Sequence, residues 1–593
     1  MTAHNLRRVA GTTVPRRHVA LDAISGPRRF ANTASINRHL LWGWQIVGWS
    51  EGRDSEIMLE HHDGRTAGLC WGMIEAMLYA KEETVIWGYD LPKILTLLGF
   101  WERLESRQIE HTRWVLVGPP TIIRGTISGR PFQMIDLLNW VDRPLSEIQD
   151  LLGSGAVLEP AGVDMDACWH EYQHERVLTV HAAASAICRW IMENDLGNMA
   201  STVAGQAMQS YRRSGLNTPI LTHTMPKFVQ LEEQSHFGGQ ILTPTLGAVM
   251  EPIAVYDVNA LFPYCMSRYP MPYKPLNYCD DCTLADLRRA TTEAGVIAKV
   301  TIDSPIVPYP RRIKQAAVYQ SGRFVTTLAG EDLVEALSRN HVHEVHAVAT
   351  FACCDLFSQW CGWAWEQRCK AKQKGKNLEA HLWKRLMNGL YGKWASHQHI
   401  WTPWPEFHHN KSWDRFIYGG AESEEPRICR TLAGDTEYLK GRKLAMDTFP
   451  AISAFTTALA RRYMHGLRCI VGEQNFVYQC VDELHLKAEG WAKLISANLF
   501  DTEKMGMLKL SSESSRSYYA GPNAYTHDGR LVLAGRPVNA TRISEREYQY
   551  EIWQGLKEII KGRPQQWLQS KMRVERLDAV FARTIGTHLA PIR

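Results

Sequence analysis

The sequence predicts a multidomain chain of mixed α/β and α+β class, and three observations carry that prediction. At 593 residues the chain exceeds the usual single-domain range, so two to four domains are expected. Residues 18–200 alternate short apolar strands with helical patterns, as in Val85-Ile-Trp-Gly-Tyr-Asp90 and Gln133-Met-Ile-Asp136-Leu-Leu-Asn139, an α/β arrangement. Further on, β-branched and aromatic runs that end in carboxylates are interleaved with a long helical stretch, an α+β arrangement.

Composition excludes some classes. A hydrophobic fraction of 45% is that of an ordinary globular protein, and no run approaches the ~18 apolar residues of a membrane span. No membrane association is expected, and a cytoplasmic location is. The net charge of +5 says little about nucleic acid, but Lys370, Lys372, Lys374, Lys376 and Lys384 crowd into a basic patch suited to a polyphosphate. The 13 cysteines are scattered and odd in number, which suggests a reduced chain. Cys279-Asp-Asp-Cys282 has metal-ligand spacing that Cys353, Cys354 and Cys361 could in principle complete, yet zinc normally wants two such pairs and only one is well formed. Residues 1–17 hold four arginines and no acid, and read as a disordered basic tail.

The most informative stretch is Ile253-Ala-Val-Tyr-Asp257-Val-Asn-Ala-Leu-Phe-Pro263. The apolar run reads as a buried strand that delivers Asp257 at its end, a position suited to a metal and phosphate site; a lone Asp capping a turn is the plainer alternative. Downstream come Lys384-Arg-Leu-Met-Asn388-Gly-Leu-Tyr391-Gly392-Lys393-Trp394 and then Tyr478-Gln-Cys-Val-Asp482-Glu-Leu-His485. Positions 384, 388 and 391 advance by four and three residues, so Lys384, Asn388 and Tyr391 share one helix face.

These three stretches, in this order, resemble the family B DNA polymerases, most closely the protein-primed branch of phages, linear plasmids and mobile elements. The family's motifs are an Asp-x-x-Ser-Leu-Tyr-Pro strand end, a Lys-x-x-x-Asn-x-x-Tyr-Gly helix and a Tyr-x-Asp-Thr-Asp hairpin. The resemblance implies an RNase H-like, exonuclease-type N-terminal domain followed by a right-hand polymerase of palm, fingers and thumb. It implies template-directed addition of deoxynucleotides to a 3′-hydroxyl with Mg²⁺, or Mn²⁺, as cofactor. Asp257 and Asp482 are the implied catalytic carboxylates, with the Val258 carbonyl as a further metal ligand. Val258, Leu261, Phe262, Lys372, Lys384, Asn388 and Tyr391 are the implied nucleotide-binding residues, Phe262 taking the place of the steric gate that rejects a 2′-hydroxyl. His236, Gly238, Gly239, Thr457, Arg461 and Tyr525 are the implied DNA contacts. The implied partners are primer, template, dNTPs and a terminal or priming protein.

The resemblance also implies boundaries. An exonuclease-like domain spans 18–225, a linker with the Gly-Gly loop 226–245, palm and fingers 246–530, and a thumb, helical by period, 531–593. Insertions fall at about 265–355 and 396–445. Within 18–225 the expected exonuclease acids are depleted: Asp22 lacks its companion Glu, Asp90 lacks its partner Asn, His181 stands near the expected Tyr-x-x-x-Asp, and Asp136 is the retained candidate. Proofreading is therefore expected to be absent. In the third motif Cys480 replaces the first aspartate, and Asn523 replaces the lysine of a Lys-x-Tyr motif. Simple strand alternation puts Cys480 and Asp482 on one face and Glu483 on the other. Two other readings stay open: a catalytically reduced polymerase-like nucleic-acid-binding protein, and a polymerase specialised for untemplated addition or unusual initiation.

Overall fold

The structure is a computed structural model and describes residues 3–28, 36–50, 60–116, 120–153, 165–305, 309–313, 316–419, 426–533, 541–544, 547–553 and 569–576. The N-terminal part is built on a large mixed sheet. Its centre is the strand Arg17–Arg28, paired in parallel with Thr84–Gly88, which in turn pairs in parallel with Arg130–Asp136. Both faces of that centre are buried, so its strands read as near-continuous apolar runs (Val85, Ile86 and Trp87 are all buried). The 29-residue helix Met165–Glu193 packs across the two longest strands.

Residues 3–13, expected as a disordered tail, are held instead. Ala3–Asn5 pairs with Leu221–His223, and Met199 N donates to Thr13 O at 2.8 Å. Arg8 donates through Nε to Leu216 O at 2.9 Å and through Nη2 to Asn217 Oδ1 at 3.2 Å. The segment 226–245, expected as a linker, is also structured: a helix, Pro226–Ser235, then a short strand, Ile241–Leu242.

That short strand edges the five-stranded sheet that positions the site. Its order is Ile241–Leu242, Phe476–Cys480, Glu483–Lys487, Ile253–Val258, Leu508–Ser514, antiparallel throughout. The strand carrying Asp257 is thus central, flanked by the second arm of the hairpin on one side and by 508–514 on the other. Helix Pro450–Val471 is buried on most of its surface, and helices Ser358–Gln373 and Asn377–Lys393 pack on each other. The first insertion is a four-stranded sheet with helices Leu284–Glu293 and Gly330–Ser338; the second is a four-stranded antiparallel sheet in the order His397–Pro403, Asp435–Leu444, Arg427–Leu432, Trp413–Tyr418.

Two expectations need correction. The elements described from 530 on are strands, and Gln569–Arg576 pairs with Ile36–Ser50 of the N-terminal sheet; the rest of the expected helical thumb lies outside the described residues. Cys279 and Cys282 pair as a disulfide across a short turn, where reduced thiols were expected.

Candidate active site

The site begins where the Asp257 strand ends. Val258 N donates to Asp482 O at 2.9 Å and Asn259 N to Met507 O at 2.9 Å, so the backbone ties the strand end to the hairpin tip and to the neighbouring strand. Asn259 adds a side-chain lock, its amide donating to Asp501 O at 2.8 Å. Ala260 then takes a left-handed conformation (φ 50°) and starts the helix Leu261–Arg268.

The hairpin differs from the simple alternation expected for it. The paired strands stop at Cys480 and Glu483, leaving Val481 and Asp482 as a two-residue turn. Cys480 and Glu483 are therefore direct cross-strand partners, and Glu483 is also the partner of Asp257. Directly opposed residues of an antiparallel pair project to one face. Glu483, not Asp482, lies in register with both Cys480 and Asp257, because the turn interrupts the period-two count.

Asp482 and Asp257 meet at this tip. Burial, followed by the Asp257 carboxylate, pushes the Asp482 carboxyl well above its ordinary range. Lys509 Nζ stands 2.6 Å from Asp257 Oδ2. Lys384, partly buried at its amine, lies within the field of Lys509, Asp257, Arg368 and Asp482, and its pKa is lowered, mainly by burial. Arg368 is one helical turn before Lys372 on Ser358–Gln373, and feels both Glu503 and Asp257. Arg368 and Lys509 were missed in the sequence: neither stands in a motif, and only the packing of their elements against the Asp257 strand exposes them. Two members of the basic patch are already engaged, Lys370 with Glu366 and Lys376 with Glu379.

Lys384, Asn388 and Tyr391 lie on the helix Asn377–Lys393. Tyr391 lies within the field of Asp482 and stacks on Phe262, ring centroids 4.0 Å apart and 26° between planes. Leu261 is buried in the core, so its side chain is not part of the site.

The expected DNA contacts divide. Gly238 (φ 78°) and Gly239 approach the hairpin tip: Val481 N donates to Gln240 O at 2.9 Å, and a Cβ on Gly239 would lie 2.6 Å from a Val481 methyl. His236 is partly buried beside them, its carbonyl accepting from Arg312. Arg461 is not available to DNA. It is buried, donates through Nε and Nη2 to Asp332 at 2.9 and 2.6 Å, and through Nη1 to Gly238 O at 2.6 Å. Thr457, also buried, back-bonds to Ser453 O within its own helix. Tyr525 is buried as well and donates to Glu483 Oε1 at 3.1 Å, while Asn523 accepts from Cys480 Sγ at 2.9 Å. Tyr525 and Asn523 brace the hairpin, and the Glu483 carboxylate takes up the Tyr525 hydroxyl that was expected on primer.

In the N-terminal domain, Asp22, Asp90 and Asp136 do come together, with a guanidinium among them. Arg176 donates to both Asp22 oxygens, Nε at 2.9 Å and Nη2 at 3.0 Å. Asp136 accepts from Leu91 N and Leu138 N at 2.9 and 3.0 Å. Burial pushes its carboxyl up to about 7 against those two amides, with Asp90 adding to the rise. His181 is elsewhere, edge-on to Trp49 at 4.6 Å.

Among the described residues no three His, Cys, Asp or Glu side chains converge as a metal cage. At the palm the donors fit a hard divalent cation all the same: two carboxylates forced together, the kind of site that keeps open positions for water and substrate phosphates.

Residues 181–425 match the family described as DNA polymerase type B, organellar and viral. A curated relative, the DNA-directed DNA polymerase of Enterobacteria phage PRD1, is 22% identical over 210 residues, covering 35% of each chain. Phi29 DNA polymerase with primer-template DNA superposes with a TM-score of 0.60 at 14% identity, covering 88% of this chain and 90% of that one. Its complex with primer-template DNA and incoming nucleotides gives 0.57, over 88% and 93%. The chain has the fold of the family B DNA polymerases. The alignment with the phage PRD1 polymerase spans about a third of that protein.

Proposed function

We propose that the chain is a DNA-templated DNA polymerase that extends a 3′-hydroxyl with deoxynucleotides and does not proofread. The observation that carries this reading is the convergence of Asp257 and Asp482 at one palm tip, faced by Lys384 and Arg368. Crowded carboxylates opposite cations are what a site needs to hold divalent ions on one side and a triphosphate on the other.

Asp257, Asp482 and the Val258 carbonyl are the groups that would hold the ions, with Mg²⁺ the fitting species for oxygen donors. Bound there, divalent ions supply activation of the 3′-hydroxyl and neutralisation of the leaving pyrophosphate. Lys384, Lys372 and Arg368 bind the triphosphate as charge partners, and Asn388 and Tyr391 orient the base and sugar on the same helix face. Phe262, held flat against Tyr391, needs no phenol oxygen to reject a 2′-hydroxyl, because steric exclusion suffices. The Gly-Gly loop sets the hairpin tip through Gln240 O and Val481.

Loss of proofreading follows from Arg176. A bidentate guanidinium on Asp22 neutralises the carboxylate that a metal would need, and Asp136 is committed to two backbone amides.

A second reading, a polymerase-like protein that binds nucleic acid without extending it, draws support from Cys480 and from the burial of Arg461. Primed template incubated with dNTPs and Mg²⁺ or Mn²⁺ separates the two. Metal-dependent extension that is lost in Asp482→Ala supports the polymerase; no extension by the unaltered protein sinks it.

A further inference from the structure

The third motif lacks an acid at 480, yet the palm tip gathers three cations. Lys509 is ion-paired to Asp257, and Lys384 and Arg368 lie within its field. Against these bases stand Asp257, Asp482 and, beside Arg368, Glu503, so the charge of the two carboxylates that would hold a cation is offset before any divalent ion arrives, which opposes cation binding. One further acid is placed to offset this. Glu483 opposes Cys480 across the hairpin and Asp257 across the next strand pair.

Its carboxylate is fixed rather than free. Tyr525 OH donates to Oε1 at 3.1 Å, and His485 Nε2 donates to the same oxygen at 2.8 Å. A carboxylate only accepts, so His485 carries its proton on Nε2, and its Nδ1 accepts from Tyr519 OH at 2.8 Å. His485 is fully buried and Tyr519 nearly so, giving a rigid support of three side chains beneath one acid.

We propose that Glu483 is a positioning residue that supplies, from the opposite strand of the hairpin, the negative charge missing at Cys480, and so sets the affinity of the Asp257–Asp482 pair for divalent cations. This rests on the polymerase reading for its purpose, but the charge compensation can be measured without turnover. Residue 483 compensates for residue 480 because the Val481-Asp482 turn makes them cross-strand partners, a relation that strand alternation along the sequence conceals.

The test is Mn²⁺ binding to the full-length protein alone, followed by electron paramagnetic resonance, beside a Mg²⁺ titration of primer extension. Glu483→Gln keeps an oxygen for Tyr525 and removes the charge. It should weaken Mn²⁺ binding about tenfold and raise the Mg²⁺ needed for half-maximal extension by a similar factor. Cys480→Asp should restore both in that background, and should tighten Mn²⁺ binding less when introduced alone. Glu483→Asp, which keeps the charge, should retain Mn²⁺ affinity within about threefold. Mn²⁺ affinity unchanged in Glu483→Gln overturns the proposal, as does loss of melting temperature with unaltered affinity, which marks a purely structural acid. Failure of Cys480→Asp to restore binding also overturns it. Absence of extension by the unaltered protein would strike the polymerase reading and leave the binding comparison standing.

Discussion

Gly239→Ala tests how closely the Gly-Gly loop sets the active-site turn. The added Cβ would lie 2.6 and 2.8 Å from the two methyls of Val481. Carbon atoms pack at ~3.5–4.0 Å, so the two segments must separate by roughly 1 Å. Val481 cannot yield by rotation alone, because it is β-branched and already left-handed at φ 57°. The displacement therefore passes to its neighbour, Asp482. Overpacking of this kind costs about 1–3 kcal/mol of stability, and a misplacement of about 1 Å at a reacting centre costs on the order of 10²-fold in rate. Thermal melting and single-turnover extension read the two effects separately. Val481→Gly should rescue the double variant, since it removes the methyls and accepts the positive φ without strain. Gly239→Ala with unaltered extension would refute the coupling of loop to turn.

Arg461→Ala should lower stability by about 3–5 kcal/mol, because it strands Asp332 at 2% exposure without its counter-ion, while the salt dependence of DNA binding stays unchanged. A smaller salt slope at full stability would return Arg461 to the DNA interface. Labelled single-stranded DNA with Mg²⁺ should survive incubation without dNTPs, and degradation abolished by Asp136→Ala would contradict the proposed absence of proofreading. Asp136, raised to about 7 by burial, favours the folded state when protonated. Its contribution is therefore full below the ordinary carboxylate range near 4 and lost as pH rises through about 7. Relative to Asp136→Asn, the native protein should lose melting temperature between pH 5 and pH 8; parallel curves for the two would refute the assignment.

The strand, helix and hairpin of the candidate site were legible in the sequence because their signals are local. An apolar run ending in Asp257, a three-and-four spacing from Lys384 to Tyr391 and a short hairpin around Asp482 each carry their own periodicity. What it concealed was pairing across the chain. Arg461 has the residue type and the neighbours of a DNA contact, but Asp332 lies 129 positions earlier, and only folding shows the two as one buried ion pair. Arg176 and Asp22 are 154 positions apart and equally invisible as partners. Glu483 was misplaced for a different reason: alternation holds within a strand and fails at a two-residue turn. Lys509, whose neighbours read as an unremarkable strand, becomes significant only through its register opposite Asp257.

The central claim is that Asp257 and Asp482 form a working nucleotidyl-transfer site directed by a template. Single-nucleotide incorporation on four primed templates, differing only in the first unpaired base, tests it most directly. The account predicts metal-dependent addition of the complementary deoxynucleotide on each, and loss of addition in Asp257→Ala and in Asp482→Ala. Addition indifferent to the template base, or persisting in either variant, would contradict it.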